Sequence, residues 1–187
     1  MVSMTSLWLP ILVSTIGVFV VSSIIHMVLT YHRSDWVKLP AEDEIMDALR
    51  AHNLEPGDYF MPHGEGPKAM SDPEFIEKMT RGPVAMLTVS KSGPPSMGAS
   101  LVQWFVFCIL VSIFAAYLTS RAVGATDDFL AVFRFAGASA FGGYALALLE
   151  DSIWYKRQWS TTLKNVFDGF IYALVTAGVF GWLWPGM

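Results

Sequence analysis

The sequence predicts an all-α integral membrane protein: four transmembrane helices, with a small mixed α/β cytoplasmic insert between the first and the second. Three observations carry this. Of 187 residues, 53% are hydrophobic and only 15% charged, against about 25% charged in ordinary soluble chains. Four stretches reach the roughly 20 apolar residues a helix needs to cross a hydrocarbon core of about 30 Å. The seven tryptophans (Trp8, Trp36, Trp104, Trp154, Trp159, Trp182 and Trp184) all fall within a few residues of the proposed helix ends. That is the level where an indole keeps its ring apolar and its N–H wet.

The first span runs from about Leu7 to Tyr31 with no Asp, Glu, Lys or Arg. Pro10 falls in its first turn, where a missing N–H costs little. It is read as a retained helix: no basic residue precedes it, the apolar run is too long for a signal sequence, and His32, Arg33 and Asp35 follow in place of a small-residue cleavage site. The second span covers about Ser100 to Ser120, the third Phe129 to Leu149 with Arg134 inside it, and the fourth Val166 to Trp184 with Asp168 near its start. Backbone groups in lipid must be satisfied internally, so each span is helical. The chain thus divides into residues 1–36 (first span and flank), 37–99 (insert) and 100–187 (three-helix region).

Basic residues set the orientation. Ten of the twelve lie on one side of the four crossings: Arg33, Lys38, Arg50, Lys68, Lys78, Arg81, Lys91, Lys156, Arg157 and Lys164, against Arg121 alone on the other. The positive-inside rule then places residues 37–99 in the cytoplasm and both termini outside, in a plasma or inner membrane.

Within the insert, Pro40 followed by Ala-Glu-Asp-Glu suits a helix start, with Ile45, Met46 and Leu49 as its apolar stripe. Ser71-Asp72-Pro73-Glu74 reads as a capping box opening a second helix, with the Ser71 hydroxyl as the cap. Val84 to Val89 is a strand, paired with Asp58 to Met61. Lys91 to Ala99 is a turn-rich linker. Some sixty residues are few for a self-sufficient core, so this segment is expected to pack on the helices, on a second copy or on another protein.

Net charge −4 and a mean hydropathy of +0.46 argue against a nucleic-acid binder. The single cysteine, Cys108, excludes an internal disulfide. Ionisable groups within spans are costly and are the candidate polar site: His26, Arg134 and Asp168. Arg134 is expected to snorkel toward Asp127 or Asp128; the alternative is an anion or substrate contact. His26 and Asp168 share a depth and are a candidate proton-sensitive pair. Met61, His63, Glu65 and Met70 offer copper-type ligands but no repeating ligand pattern, so no metal site and no cofactor are predicted. Ser22 and His26 share a helix face without a third group, and no catalytic residue is assigned.

The strongest pattern is one of packing. Gly169, Ala173, Ala177 and Gly181 recur every four residues, and Ala136/Ala140, Ala138/Gly142 and Ser139/Gly143 do so in the third span. Small residues at this spacing let helices approach closely in lipid. The expected function is therefore association, as an accessory, assembly or regulatory subunit of a membrane complex or as a homo-oligomer. Its partners would be the lipid bilayer and another membrane protein or further copies of the chain. The alternative is a small oligomeric channel or transporter using His26, Asp168 or Arg134.

Overall fold

A computed structural model of the chain describes residues 2–94 and 96–186; Pro95, within the expected linker, lies outside them. It is mostly helical and divides into two units, residues 1–36 with 96–187, and residues 37–95.

The first unit is a bundle. Ser3 opens it by accepting from the Thr5 N–H, and a short 3-10 turn leads into α1 (Trp8–Met27). The three other long elements are α4 (Met97–Ala122), α5 (Phe129–Tyr144) and α7 (Trp159–Trp182). A short helix, α6 (Leu149–Ile153), continues α5 after a 3-10 turn. Four helical segments, Met4–Met27, Met97–Ala122, Phe129–Ile153 and Trp159–Trp182, are long and apolar enough to cross a membrane. Their outward faces are apolar too. Leu9, Leu12, Ile16, Val20 and Ile24 form an exposed stripe along α1, as do Val102, Val106, Leu110, Ile113 and Tyr117 along α4. Water-soluble monomers rarely expose apolar surface so continuously.

Inside, two clusters stack along the bundle. One joins Val18, Ile25, Cys108, Val111, Ala140, Tyr144 and Tyr172. The other joins Leu7, Ala116, Val132, Ala136, Phe180 and Trp184. Polar side chains between the helices are partnered in several places. Ser14 Oγ lies 2.9 Å from Ser112 Oγ, and Trp104 Nε1 donates to Ser22 Oγ at 2.8 Å.

Several boundaries differ from expectation. The fourth span begins at Trp159 rather than near Val166. Ser160, Thr161, Thr162 and Lys164 lower the local hydropathy, yet Thr161 and Thr162 are buried, and Ser152 Oγ donates to Thr162 Oγ1 at 2.8 Å. Met97 and Gly98 already belong to α4, so the linker is shorter than expected and Trp104 sits about two turns inside the helix. The third span is broken after Tyr144, which puts Glu150 and Asp151 in the first turn of α6, where carboxylates suit the helix dipole.

The seam residues Gly169, Ala173, Ala177 and Gly181 are buried, and they face α5. A Cβ on Gly169 would meet Tyr144 O at 3.0 Å and Ala145 Cβ at 2.9 Å; one on Gly181 would meet the Phe129 ring at 2.5 Å. Gly143 is equally tight against Val111 of α4, while Ala138 points outward, Ser139 Oγ donates to Phe135 O at 2.7 Å, and a Cβ on Gly142 would meet nothing.

The second unit comprises α2 (Glu42–Ala51), β1 (Gly57–Met61), α3 (Pro73–Arg81) and β2 (Ala85–Val89). The strands pair antiparallel, Gly57 opposite Val89 and Met61 opposite Ala85. The cap of α3 is Asp72, which accepts from the Glu74 N–H at 3.0 Å, not Ser71. Pro73 occupies the first helical position and so assigns the cap to the residue before it. Glu74 pairs forward with Lys78 at 2.7 Å instead of reaching back.

Gly169→Val should destabilise the bundle by roughly 1–3 kcal/mol, because backbone at Tyr144 cannot move aside. Gly178→Ala, whose added methyl meets open space, should be neutral or stabilising by up to about 1 kcal/mol. Thermal unfolding in detergent micelles compares the two.

Candidate functional site

Where α1 ends, the chain makes a 3-10 turn over Tyr31–Ser34 before leaving the bundle. This turn packs beside the first half of α7, in which Lys164 and Asp168 lie four residues apart and so share a face. Asp168 is only 2% exposed. A carboxylate so placed is costly unless it is paired and hydrogen-bonded, and it is both. The Tyr31 hydroxyl donates to its Oδ1, and His32 Nε2 lies 2.8 Å from its Oδ2. His26 Nε2, from the last turn of α1, is 4.0 Å from that same oxygen. The Tyr172 hydroxyl stands 3.4 Å from His26 Nε2.

A second carboxylate sits behind His32. Asp35 Oδ2 is 2.6 Å from His32 Nδ1, and Asp35 Oδ1 accepts from Lys164 Nζ at 2.7 Å. Lys164 also donates to Tyr31 O and to Ser34 Oγ, each at 2.8 Å, so all three ammonium protons have acceptors. Burial alone would raise the Asp35 carboxyl, but the hydrogen bonds from Lys164 and His32 outweigh it and hold the group below its ordinary value. Burial, and then the hydrogen bond to Asp168, push the Tyr31 phenol well above its ordinary value, so it stays a donor.

Both ring nitrogens of His32 therefore face carboxylate oxygens, which only accept. The Nδ1–H satisfies Asp35. Between Nε2 and Asp168 Oδ2 there is room for a shared proton, on the ring or on the carboxyl group, or for a metal ion bound to both. His26, His32 and Asp168 each offer one ligand atom, and the three atoms lie within 4.8 Å of one another. Donors around a tetrahedral zinc ion stand roughly 3.3 Å apart, given bonds of about 2.0–2.1 Å. The 2.8 Å and 4.0 Å separations at Asp168 bracket that value.

The cluster forms one wall of a half-open cavity of about 640 Å³, whose other walls include Trp104, Phe107, Tyr144, Leu148, Arg157 and Asn165. Arg157 reaches Asp151 at 3.5 Å. The Tyr144 hydroxyl is buried without a hydrogen-bond partner of normal geometry, alongside the Cys108 thiol.

Of the residues expected to form a polar site, His26 and Asp168 come together and Arg134 does not. Arg134 lines a separate groove between α5 and α7. It forms no ion pair with Asp127 or Asp128 among the described residues: Asp128 caps α5 by accepting from the Ala131 N–H at 2.7 Å, and Asp127 accepts from the Gly124 N–H at 2.8 Å. Sequence reasoning missed Tyr31, His32, Asp35 and Lys164. Their signal was the His32-x-x-Asp35 and Lys164-x-x-x-Asp168 spacings; Lys164 reads as a marker of orientation, and His32 and Asp35 read only as polar residues in place of a cleavage site. Met61, His63, Glu65 and Met70 lie in one local run, whereas the His26, His32 and Asp168 donor set is gathered from the end of α1, the turn after it and α7. No protein-family model, curated protein or solved structure gives a significant match to this chain.

Lys164→Met would remove three hydrogen bonds and leave Asp35 buried beside Asp168 without its cation. It should destabilise the protein by on the order of 2–3 kcal/mol, and Lys164→Arg by less, as measured by unfolding in detergent.

Proposed function

We propose that this chain is a multi-pass membrane protein that binds a divalent transition-metal ion through His26, His32 and Asp168 and presents it to a small ligand in the adjoining cavity. The observation that carries the reading is His32, held by Asp35 through Nδ1 while its Nε2 points at the Asp168 carboxylate. Metal-bound imidazoles characteristically donate their other N–H to a carboxylate, which fixes the ring and raises its basicity. Two imidazoles and one carboxylate suit zinc or ferrous iron, and three protein ligands leave a coordination position open. Here the open side faces the cavity, where the ion would act as a Lewis acid on a bound oxygen or nitrogen. With the basic residues on the inner side, the cavity opens toward the cytoplasm and both termini lie outside.

This reading is preferred to an accessory or homo-oligomeric role because the seam in α7 that suggested association packs against α5 within the chain; of the expected seam residues, Ala138 and Gly142 face outward. It is preferred to a channel because Arg134 lines its own groove, apart from His26 and Asp168.

Equilibrium dialysis of the detergent-solubilised protein against zinc, with elemental analysis, should find one bound equivalent. His32→Ala and Asp168→Asn should abolish it, and Asp35→Asn should weaken it roughly 10–100-fold by loosening His32. His63→Ala, in the second unit, should leave it unchanged. A wild-type protein without stoichiometric zinc, or equal binding by His32→Ala, would refute the assignment.

A further inference from the structure

Arg134 projects from the second turn of α5, about 7.5 Å along the axis from Phe129 at 1.5 Å per residue. It is exposed, and among the described residues it has no hydrogen bond or ion pair. An arginine at this depth of an apolar helix directs its guanidinium back toward the helix N-terminus and the interface. Directly inward of it runs a groove of about 340 Å³, lined almost wholly by apolar atoms.

The groove exists because small residues line it. Gly137, Ala138, Ala173 and Ala177 lie along it, and the helices meet so closely that a Cβ on Gly137 would stand 3.0 Å from Ala177 Cβ. At the far end Phe141 and Phe170 meet edge to face, 6.2 Å between ring centres. From Arg134 to Phe141 is roughly 10 Å along α5, the length of about eight methylenes. The slot therefore has a cation at its interfacial mouth, apolar walls and an aromatic end.

We propose that this groove is a binding site for one anionic phospholipid, with an acyl chain lying between α5 and α7 and the phosphate paired to the Arg134 guanidinium. Guanidinium matches phosphate geometry with two parallel hydrogen bonds. Asp127 and Asp128, which precede α5, accept from backbone N–H groups and form no ion pair with Arg134 among the described residues, so the lipid phosphate supplies the counter-charge. The site is independent of the metal cluster.

The test is native mass spectrometry of the full chain from equimolar phosphatidylglycerol and phosphatidylcholine. The wild type should keep one phosphatidylglycerol, preferred by about fivefold, the effect of one basic residue at a membrane surface. Arg134→Gln should retain lipid without preference, and Arg134→Lys should keep part of it. Ala138→Phe, at an exposed position, should fill the slot and lose the retained lipid of either kind. Equal retention of both lipids by the wild type, no retained lipid at all, or undiminished preference in Arg134→Gln would overturn the proposal. If Arg134→Gln does not fold, Ala138→Phe decides: phosphatidylglycerol kept at the wild-type level would overturn it equally.

Discussion

A carboxylate placed inside an apolar bundle determines much of what surrounds it. Asp168 lies about two and a half turns into α7 and is almost wholly buried. Its charge is expensive in such surroundings unless donors converge on it, and the chain after α1 is shaped to supply them. The 3-10 turn over Tyr31–Ser34 brings a phenol to one carboxylate oxygen and an imidazole to the other. The turn is itself anchored by Lys164, whose ammonium collects Tyr31 O, Ser34 Oγ and Asp35 Oδ1. Removing one member weakens another: without Lys164, Asp35 keeps only His32, and without Asp35, the His32 ring keeps only Asp168. The packing of α1 beside α7 at this end is thus fixed by charge as well as by fit.

What the sequence made legible, and what it hid, follows from whether the signal is local. Four long apolar runs are local, so the four spans were readable; the antiparallel pairing of Gly57–Met61 with Ala85–Val89, across the intervening α3, agrees with the pairing of Asp58–Met61 with Val84–Val89 to within a residue at each end. The first turns of α7 were not readable. Ser160, Thr161, Thr162 and Lys164 look like loop to any hydropathy window, and only neighbours from α6 and the turn after α1 reveal that they are satisfied. The break after Tyr144 was hidden for a related reason. Ala-Leu-Ala-Leu-Leu is good helix-forming sequence, yet the bare backbone of Gly169 lies against the Tyr144 carbonyl, a tertiary contact that no spacing in either helix announces. In the site, His26 and Asp168 stood out as titratable groups in apolar helices. His32, Asp35 and Lys164 did not, because polar residues just outside a span are ordinary in membrane proteins and carry chemistry in only some.

Small residues show how one sequence pattern can have two structural consequences. Along α7 the four-residue repeat removes volume where α5 must approach, so Gly169 and Gly181 admit Tyr144, Ala145 and Phe129. The same thinning beside Gly137 and Ala138 leaves the outer surface of the helix pair hollow. Close approach and a surface groove are two sides of one choice of side-chain volume. A seam read from sequence therefore identifies where helices meet, and the question of which helix meets it is settled only by the fold.

The polar groups of the bundle are segregated by depth, and this bears on what the histidine cluster is for. Mid-bundle polar contacts such as Ser14 with Ser112 are neutral pairs that close on themselves. At the end formed by α1, α7 and the break after α5, charges gather beside a cavity, and one short contact there joins the turn after α1 to α7. His32 Nε2 and Asp168 Oδ2 stand 2.8 Å apart with a carboxylate already fixing the opposite side of the ring. A cluster serving only to neutralise Asp168 would need neither His26 at 4.0 Å nor an open side. Lys164 and Tyr31 already supply a cation close by and a hydrogen bond to that carboxylate. The two imidazoles exceed that requirement, and with the carboxylate they place three ligand atoms within 4.8 Å of one another beside a cavity, a donor set able to hold a metal ion.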